Sequence, residues 1–262
     1  MKRRLLFSIV ATTLALGVSS SYANEVLKVG ASPVPHADIL KVVQPELAKK
    51  GIDLRIIEFS DYVQPNLALH DGDLDANYFQ HKPYLTNFAQ ERGLKLTSIG
   101  NVHIEPMGIY SKKIQNLENL KSGATVGIPN DPTNGGRALK VLETAGLIKL
   151  DPKVGIQATP LDVLENSKQL KFYEIEAAVL PRSLDDFDLS VINSNFALGA
   201  GLNPAKDALA LESKDSPYAN VVAVRDVDFN RSSIKELMKE LHSDKVRKFI
   251  SDKYQGAVVP AF

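Results

Sequence analysis

TVGIPNDPTNGGRAL, Thr125 to Leu139, joins a strand to a helix through a glycine-bearing turn. TVGI is uncharged and halts at Pro129 and Asn130, as a short buried strand does. RALKVLETAGLI puts Ala138, Leu139, Leu142, Ala145 and Leu147 near helical spacing and closes on Gly146. Asp131, Pro132, Thr133, Asn134 and two glycines between them suit a tight turn running into a helix N-terminus. Such a terminus offers unpaired N–H groups and the positive end of the helix dipole. Arg137, one turn inside, adds a planar fork of donors matched to a carboxylate or phosphate. The spacing is neither Walker A nor GxGxxG, so a second reading stands beside this one: a solvated helix arginine next to an ordinary loop.

The same alternation extends in both directions. Upstream, LKVGA reads as a strand, ASPVPH as a Pro-broken turn, Ala37 to Lys50 as a helix and DLRIIEF as a second strand. A short helix over Asn66 to His70, a strand ending in YFQH, and the helix HKPYLTNFAQERG follow. LTSIGNVHIEPMGIYSKK is a long extended run broken at Pro106. Beyond the opening stretch, AAVLP and LSVINSNFA read as strands, as does NVVAVRD, and SSIKELMKELHSDKVRKFISDKY as a C-terminal helix. Strands alternating with helices imply a parallel sheet with ligands at the strands' carboxyl ends. NVVAVRD is expected to pair with HIEPMGIYS in the first sheet. That pairing makes the chain cross twice, with residues 24–112 and 200–262 in lobe I and 113–199 in lobe II. The expected fold is α/β, two-lobed, of the type II periplasmic binding protein architecture, with a ligand cleft between the lobes.

At 262 residues, 44% hydrophobic and 24% charged, the chain is long enough for a large core and ordinary in composition. MKRR followed by LLFSIVATTLALGV and SYA reads as a signal peptide over residues 1–23, so export and a mature start at Asn24 are expected. The leader carries three of the 31 basic residues and no acid, leaving 28 against 31 acidic. A slightly acidic, unclustered balance argues against nucleic acid and anionic membrane as partners. There is no cysteine, which excludes disulfides, thiol chemistry and lipid attachment through an N-terminal cysteine.

No motif announces catalysis or a metal. Asp71, Asp73 and Asp75 begin like a calcium loop, but Ala76 and Lys82 stand where it needs Gly and Glu. His103-Ile104-Glu105 matches half of a zinc deaminase signature whose other half needs cysteine. The five histidines form no close ligand pair, and no G-x-S-x-G elbow is present. Neither an enzyme nor a cofactor is expected. Tyr78, Phe79 and His81 at a strand's carboxyl end can wall a pocket, or can simply be buried strand residues.

Taken together, KVGASPVPHADIL, DYVQPN, DANYFQHKPYL, EPMGIYSKK, IPNDPTNGGRAL, LPRSLDDFDLSVINSNFALGAGL and SPYANVVAVR resemble the NlpA/MetQ family over essentially the whole mature chain. Those are substrate-binding proteins of methionine ABC transporters. The resemblance implies a monomer that closes on methionine (L or D), a derivative or a short peptide and serves a membrane permease. It implies that Arg137 holds the ligand carboxylate and that Asn195 and Asn220 hold the amino-acid head group. Tyr62, Tyr78, Phe79, His81 and His103 are implied as walls around the side chain. Most members carry a lipid on a cysteine after the leader; SSSYANE has none, so a freely soluble periplasmic protein is expected. An enzyme on the same fold and a surface interaction protein are the alternatives.

Overall fold

The computed structural model describes residues 24–262, so the leader and its cleavage point lie outside the described residues. In chain order the first half contains β1 (Glu25–Ala31), α1 (Asp38–Ala48), β2 (Ile52–Glu58), α2 (Gln64–Asp71), β3 (Ala76–His81), α3 (Lys82–Arg92), β4 (Leu96–Ile104) and β5 (Gly108–Tyr110). Next come β6 (Thr125–Pro129), α4 (Pro132–Thr144), β7 (Lys149–Leu150), β8 (Val163–Glu165), β9 (Lys171–Ile175), β10 (Leu189–Ile192), α5 (Ser194–Gly199) and α6 (Pro204–Asp207). The chain closes with β11 (Ala210–Leu211), β12 (Ala219–Arg225), α7 (Ser232–Leu241), α8 (Asp244–Tyr254) and β13 (Val259–Pro260).

Two mixed sheets result, ordered β13-β4-β12-β3-β1-β2 and β11-β5-β10-β6-β9. Each contains parallel strands, β2-β1-β3 in one and β9-β6-β10 in the other, of which β9 has no counterpart in the sequence reading. Each is then extended by an antiparallel strand, β12 against β3 and β5 against β10. Separate apolar cores lie beneath them: Leu27, Val29, Leu40 and Leu237 in the first, Val126, Ile128, Leu139 and Val191 in the second.

Several expectations need correction. NVVAVRD does pair with the HI of HIEPMGIYS, Asn220 opposite His103, but Gly108–Tyr110 belongs to the second sheet. Ala210–Leu211 joins the second sheet too, although the expected division put it in lobe I. Residues 105–107 and 212–218 therefore connect the sheets. Pro106 explains the first break, since it lacks the N–H that would continue a ladder. AAVLP is no strand: Arg182 and Ser183 donate backbone N–H bonds to Val179 O, winding the segment into turns. The C-terminal helix is two, because the Ser243 hydroxyl accepts from Val246 N and starts α8 afresh.

Gly136 lets α4 approach the loop at Ile156. A Cβ there would lie 2.3 Å from Ile156 O and 2.8 Å from Ala158 N, both backbone atoms. We expect Gly136→Ala to destabilise the protein by roughly 1–3 kcal/mol, because overpacking outweighs the ~1 kcal/mol of helix propensity gained. Urea titration checks this; an unchanged midpoint would mean that the loop yields freely.

Candidate ligand site between the lobes

The carboxyl ends of β1, β3 and β4 meet those of β6 and β10 where the chain crosses between sheets, the expected place for a ligand in an open α/β arrangement. A narrow cavity, with about 20 Å³ of free space, lies there. Six of the residues singled out from sequence line it: Tyr62, Phe79, His81, Arg137, Asn195 and Asn220. Tyr78 and His103 do not; they lie one layer behind, fully buried and bonded to each other through the Tyr78 hydroxyl and His103 Nδ1. Glu105, Asn134 and Asn193, which sequence reading passed over, also face the cavity.

Among the described residues lining this wall, Arg137 is the sole guanidinium or ammonium group, and it is 3% exposed. Its Nε lies 3.1 and 3.2 Å from the two Glu212 carboxylate oxygens, and its Nη2 donates to Glu105 O at 2.7 Å. The Tyr218 ring covers its far face, 4.4 Å from the guanidinium carbon. Nη1 has no hydrogen-bond acceptor among the described residues, so the fork has one uncommitted arm. The solvated-arginine reading is excluded by this burial. The expected helix-end anion site is different from what the turn suggested. Asp131 caps α4 itself, accepting from Asn134 N at 2.9 Å, so the anion at that terminus is the protein's own.

Glu105 stands on the first crossing, 5% exposed. Its Oε1 lies 2.7 Å from His103 Nε2 and 3.2 Å from His36 Nε2. A carboxylate oxygen accepts, so both imidazoles present Nε2–H; His103 Nδ1 is then free to accept from Tyr78. Burial raises the Glu105 pKa, while His36, Arg137 and the Asn195 backbone N–H pull it down. The histidines are driven the other way. Burial lowers His36 to about 4, and His81 and His103 to about 3. His81 is fixed by its two neighbours: Nδ1 accepts from Tyr84 N, and Nε2–H donates across the lobes to Asn134 Oδ1 at 3.1 Å.

These depressed values predict an acid-labile fold. A histidine neutral when folded but ordinary when unfolded makes the unfolded chain bind more protons, so stability is lost as pH falls from 6.5 toward 4 or 3. At pH 5 each such histidine contributes roughly 2 kcal/mol of lost stability. Glu105, with its raised value, works in the opposite direction and offsets part of this. Thermal melts at pH 7 and pH 5 should show a clear drop; equal midpoints would place these rings in wetter surroundings.

Aromatic rings supply the apolar wall. Tyr62 lies 4.8 Å from Phe196, 5.8 Å from Phe79 and 5.7 Å from Tyr84, centroid to centroid. Its hydroxyl donates to Asn195 Oδ1 at 2.6 Å, tying the first lobe to α5 of the second. The arrangement offers one guanidinium arm, one buried carboxylate, several amides and a thick aromatic wall. Among the described residues that line the cavity, the hydroxyls of Tyr62, Tyr84 and Ser194 bond to amide and backbone oxygens, none to a base. His36, His103 and Glu105 have three ligating atoms within 4.8 Å of one another, yet the bonds among them already use the atoms a metal would need.

The profile of the NlpA lipoprotein family matches residues 27–262. The chain belongs to the NlpA lipoprotein family. Within it, a D-methionine-binding lipoprotein MetQ of Escherichia coli is 44% identical over 236 residues, covering 89% of this chain and 87% of that one. A nutrient-binding protein of Burkholderia cenocepacia, solved bound to methionine, is 48% identical with a TM-score of 0.87 over 90% of this chain and 100% of its own. A periplasmic substrate-binding protein of an ABC transporter from Coxiella burnetii is 47% identical, with a TM-score of 0.86 and the same coverage. The two-lobed fold read from sequence is thus the fold of this NlpA-family chain, and an enzyme is not what the family supplies. Among the described residues no helix is long and apolar enough to cross a membrane.

Proposed function

We propose that this NlpA-family chain is the substrate-binding subunit of an ABC importer and captures methionine, L or D, or a close derivative between its lobes. The observation that carries this is a buried guanidinium with one free arm and a buried carboxylate lining the same aromatic-walled cavity. A zwitterion needs such a pair. Arg137 takes the carboxylate, with Asn195 and Asn220 completing the head-group site, and Glu105 answers the ammonium. Tyr62, Phe79 and His81 wall the side chain, while Tyr78 and His103 act from behind by holding Glu105. Each hydrogen bond to a charged group contributes roughly 1.5–3 kcal/mol. Sulfur against Tyr62, Phe79 or Tyr84 adds about 0.3–1.5 kcal/mol. The chain acts as an exported, soluble monomer that delivers its ligand to a membrane permease.

Mass spectrometry of ligand released from freshly purified, denatured protein tests the reading, together with calorimetric titration of the stripped protein. Methionine or a methionine derivative is expected. Protein that releases and binds no such compound overturns it. Methionine at about 100 times its dissociation constant should also stabilise the fold by roughly 2.7 kcal/mol.

A further inference from the structure

A second cavity, with about 620 Å³ of free space, lies between α4, the loop after β7 and the second crossing. Its size falls in the range of small-molecule sites. Val141, Leu150, Val154, Ile156 and Pro217 give it an apolar lining, and Ile156 is left 44% exposed.

The polar groups around it are unequal in sign. Lys140 and Lys149 are both engaged, with Glu143 at 2.5 Å and Glu165 at 2.7 Å. Among the described residues the Asp151 carboxylate accepts only from the Lys153 backbone N–H, at 2.9 Å, and the Asp215 carboxylate has no partner. Tyr218 lines this cavity and not the cleft; it is 6% exposed, and its hydroxyl makes no hydrogen bond among the described residues. A hydroxyl so placed is costly unless a ligand meets it. It can accept from an ammonium, as can both carboxylates. An anion would meet two unpaired acids and no free cation.

We propose that this cavity is a second binding site, for a small organic cation with an apolar body, and that its occupancy is coupled to closure on methionine. The coupling follows from the walls. Glu212 and Tyr218, which hold Arg137, belong to the second crossing, whereas α4 and the loop after β7 belong to the second lobe. The lobes are in contact through Tyr62 to Asn195 and His81 to Asn134. A ligand that bridges lobe and crossing favours that arrangement, so each ligand raises the affinity for the other. The coupling rests on the amino-acid reading above; the site does not.

Calorimetric titration with phenylbutylamine and with phenylbutanoate, a similar body of opposite charge, tests the site. Wild type should bind the amine about tenfold or more tightly than the acid, also when methionine is saturating. Equal binding of the two, as in a merely apolar hollow, or displacement of the amine by methionine overturns the site. Gly155 also lines the cavity, and a Cβ there meets nothing within 4 Å. Gly155→Trp should therefore occupy the space, abolish amine binding and leave methionine affinity within about twofold. Amine binding that survives this change overturns the location. Should the variant fail to fold, Asp151→Asn combined with Asp215→Asn must erase the preference for the amine; a preserved preference overturns the proposal. Saturating amine should tighten methionine binding about fivefold in wild type and not in Gly155→Trp, and an unchanged wild-type affinity overturns the coupling. Wild type that binds the amine but no methionine removes the amino-acid reading together with the coupling and leaves the site standing.

Discussion

Replacing Arg137 by alanine is expected to weaken methionine binding several hundredfold or more. Removing one member of a buried ion pair costs about 3–5 kcal/mol, because the partner charge is left uncompensated. Here two partners are stranded: the ligand carboxylate and Glu212, whose side chain is only 13% exposed. The structure adds a cost, since Arg137 also bonds Glu105 O on the first crossing and stacks on Tyr218 of the second. A lowered melting temperature should therefore accompany the lost affinity. Arg137→Lys should recover only part of either, because an ammonium cannot reach Glu212 and the ligand with the same planar fork. Calorimetric titration with methionine and with methioninol, which lacks the carboxylate, separates binding from folding. Equal affinity of wild type for the two ligands would refute the carboxylate role even if Arg137→Ala bound poorly. Normal methionine binding by Arg137→Ala would remove the head-group assignment.

Local patterning made the elements around this arginine readable. TVGI and the spacing of Leu139 and Leu142 made β6 and the middle of α4 readable, but Pro132 to Gly136, read as a turn, form the start of the helix. AAVLP was illegible for the opposite reason. A short apolar run is compatible with strand or turn, and here Leu180 is buried in a cluster with Tyr110 and Ile192, residues far from it in sequence or in other elements. The switch of Gly108–Tyr110 into the second sheet was equally hidden, since register is set by partners and not by the run itself. At the cavity, Arg137, Tyr62, Phe79 and His81 carry recognisable side-chain chemistry and do line it, whereas Tyr78 lies behind. Glu105 and Asn193 were missed because an acid in an extended run and one more Asn in INSNFA look like surface residues. A faint signal existed in HIEPM, where a charge sits between apolar residues just before a proline. His36 became meaningful only once β1 and the first crossing were adjacent.

Glu105→Gln should weaken methionine binding by roughly a hundredfold, about 3 kcal/mol, while leaving the unliganded protein at least as stable. The two halves of that expectation have one cause. The carboxylate is buried and held by His36, His103 and the Asn195 backbone N–H, and desolvation still raises its pKa. Its charge is therefore tolerated in the empty site at a cost that the ligand's ammonium offsets. A glutamine keeps the shape and an acceptor for the imidazole N–H groups but gives the ammonium no counter-charge. Protonation of wild type imitates the same change. Methionine affinity should fall as pH drops through the raised Glu105 value, and it should do so before His36 and His103, at about 4 and 3, acquire charge. Glu105→Gln should start weaker and show no such decline over that interval. If wild type and variant share the same pH slope, some other group carries the proton dependence, and the ammonium must be sought against the neutral amide oxygens alone.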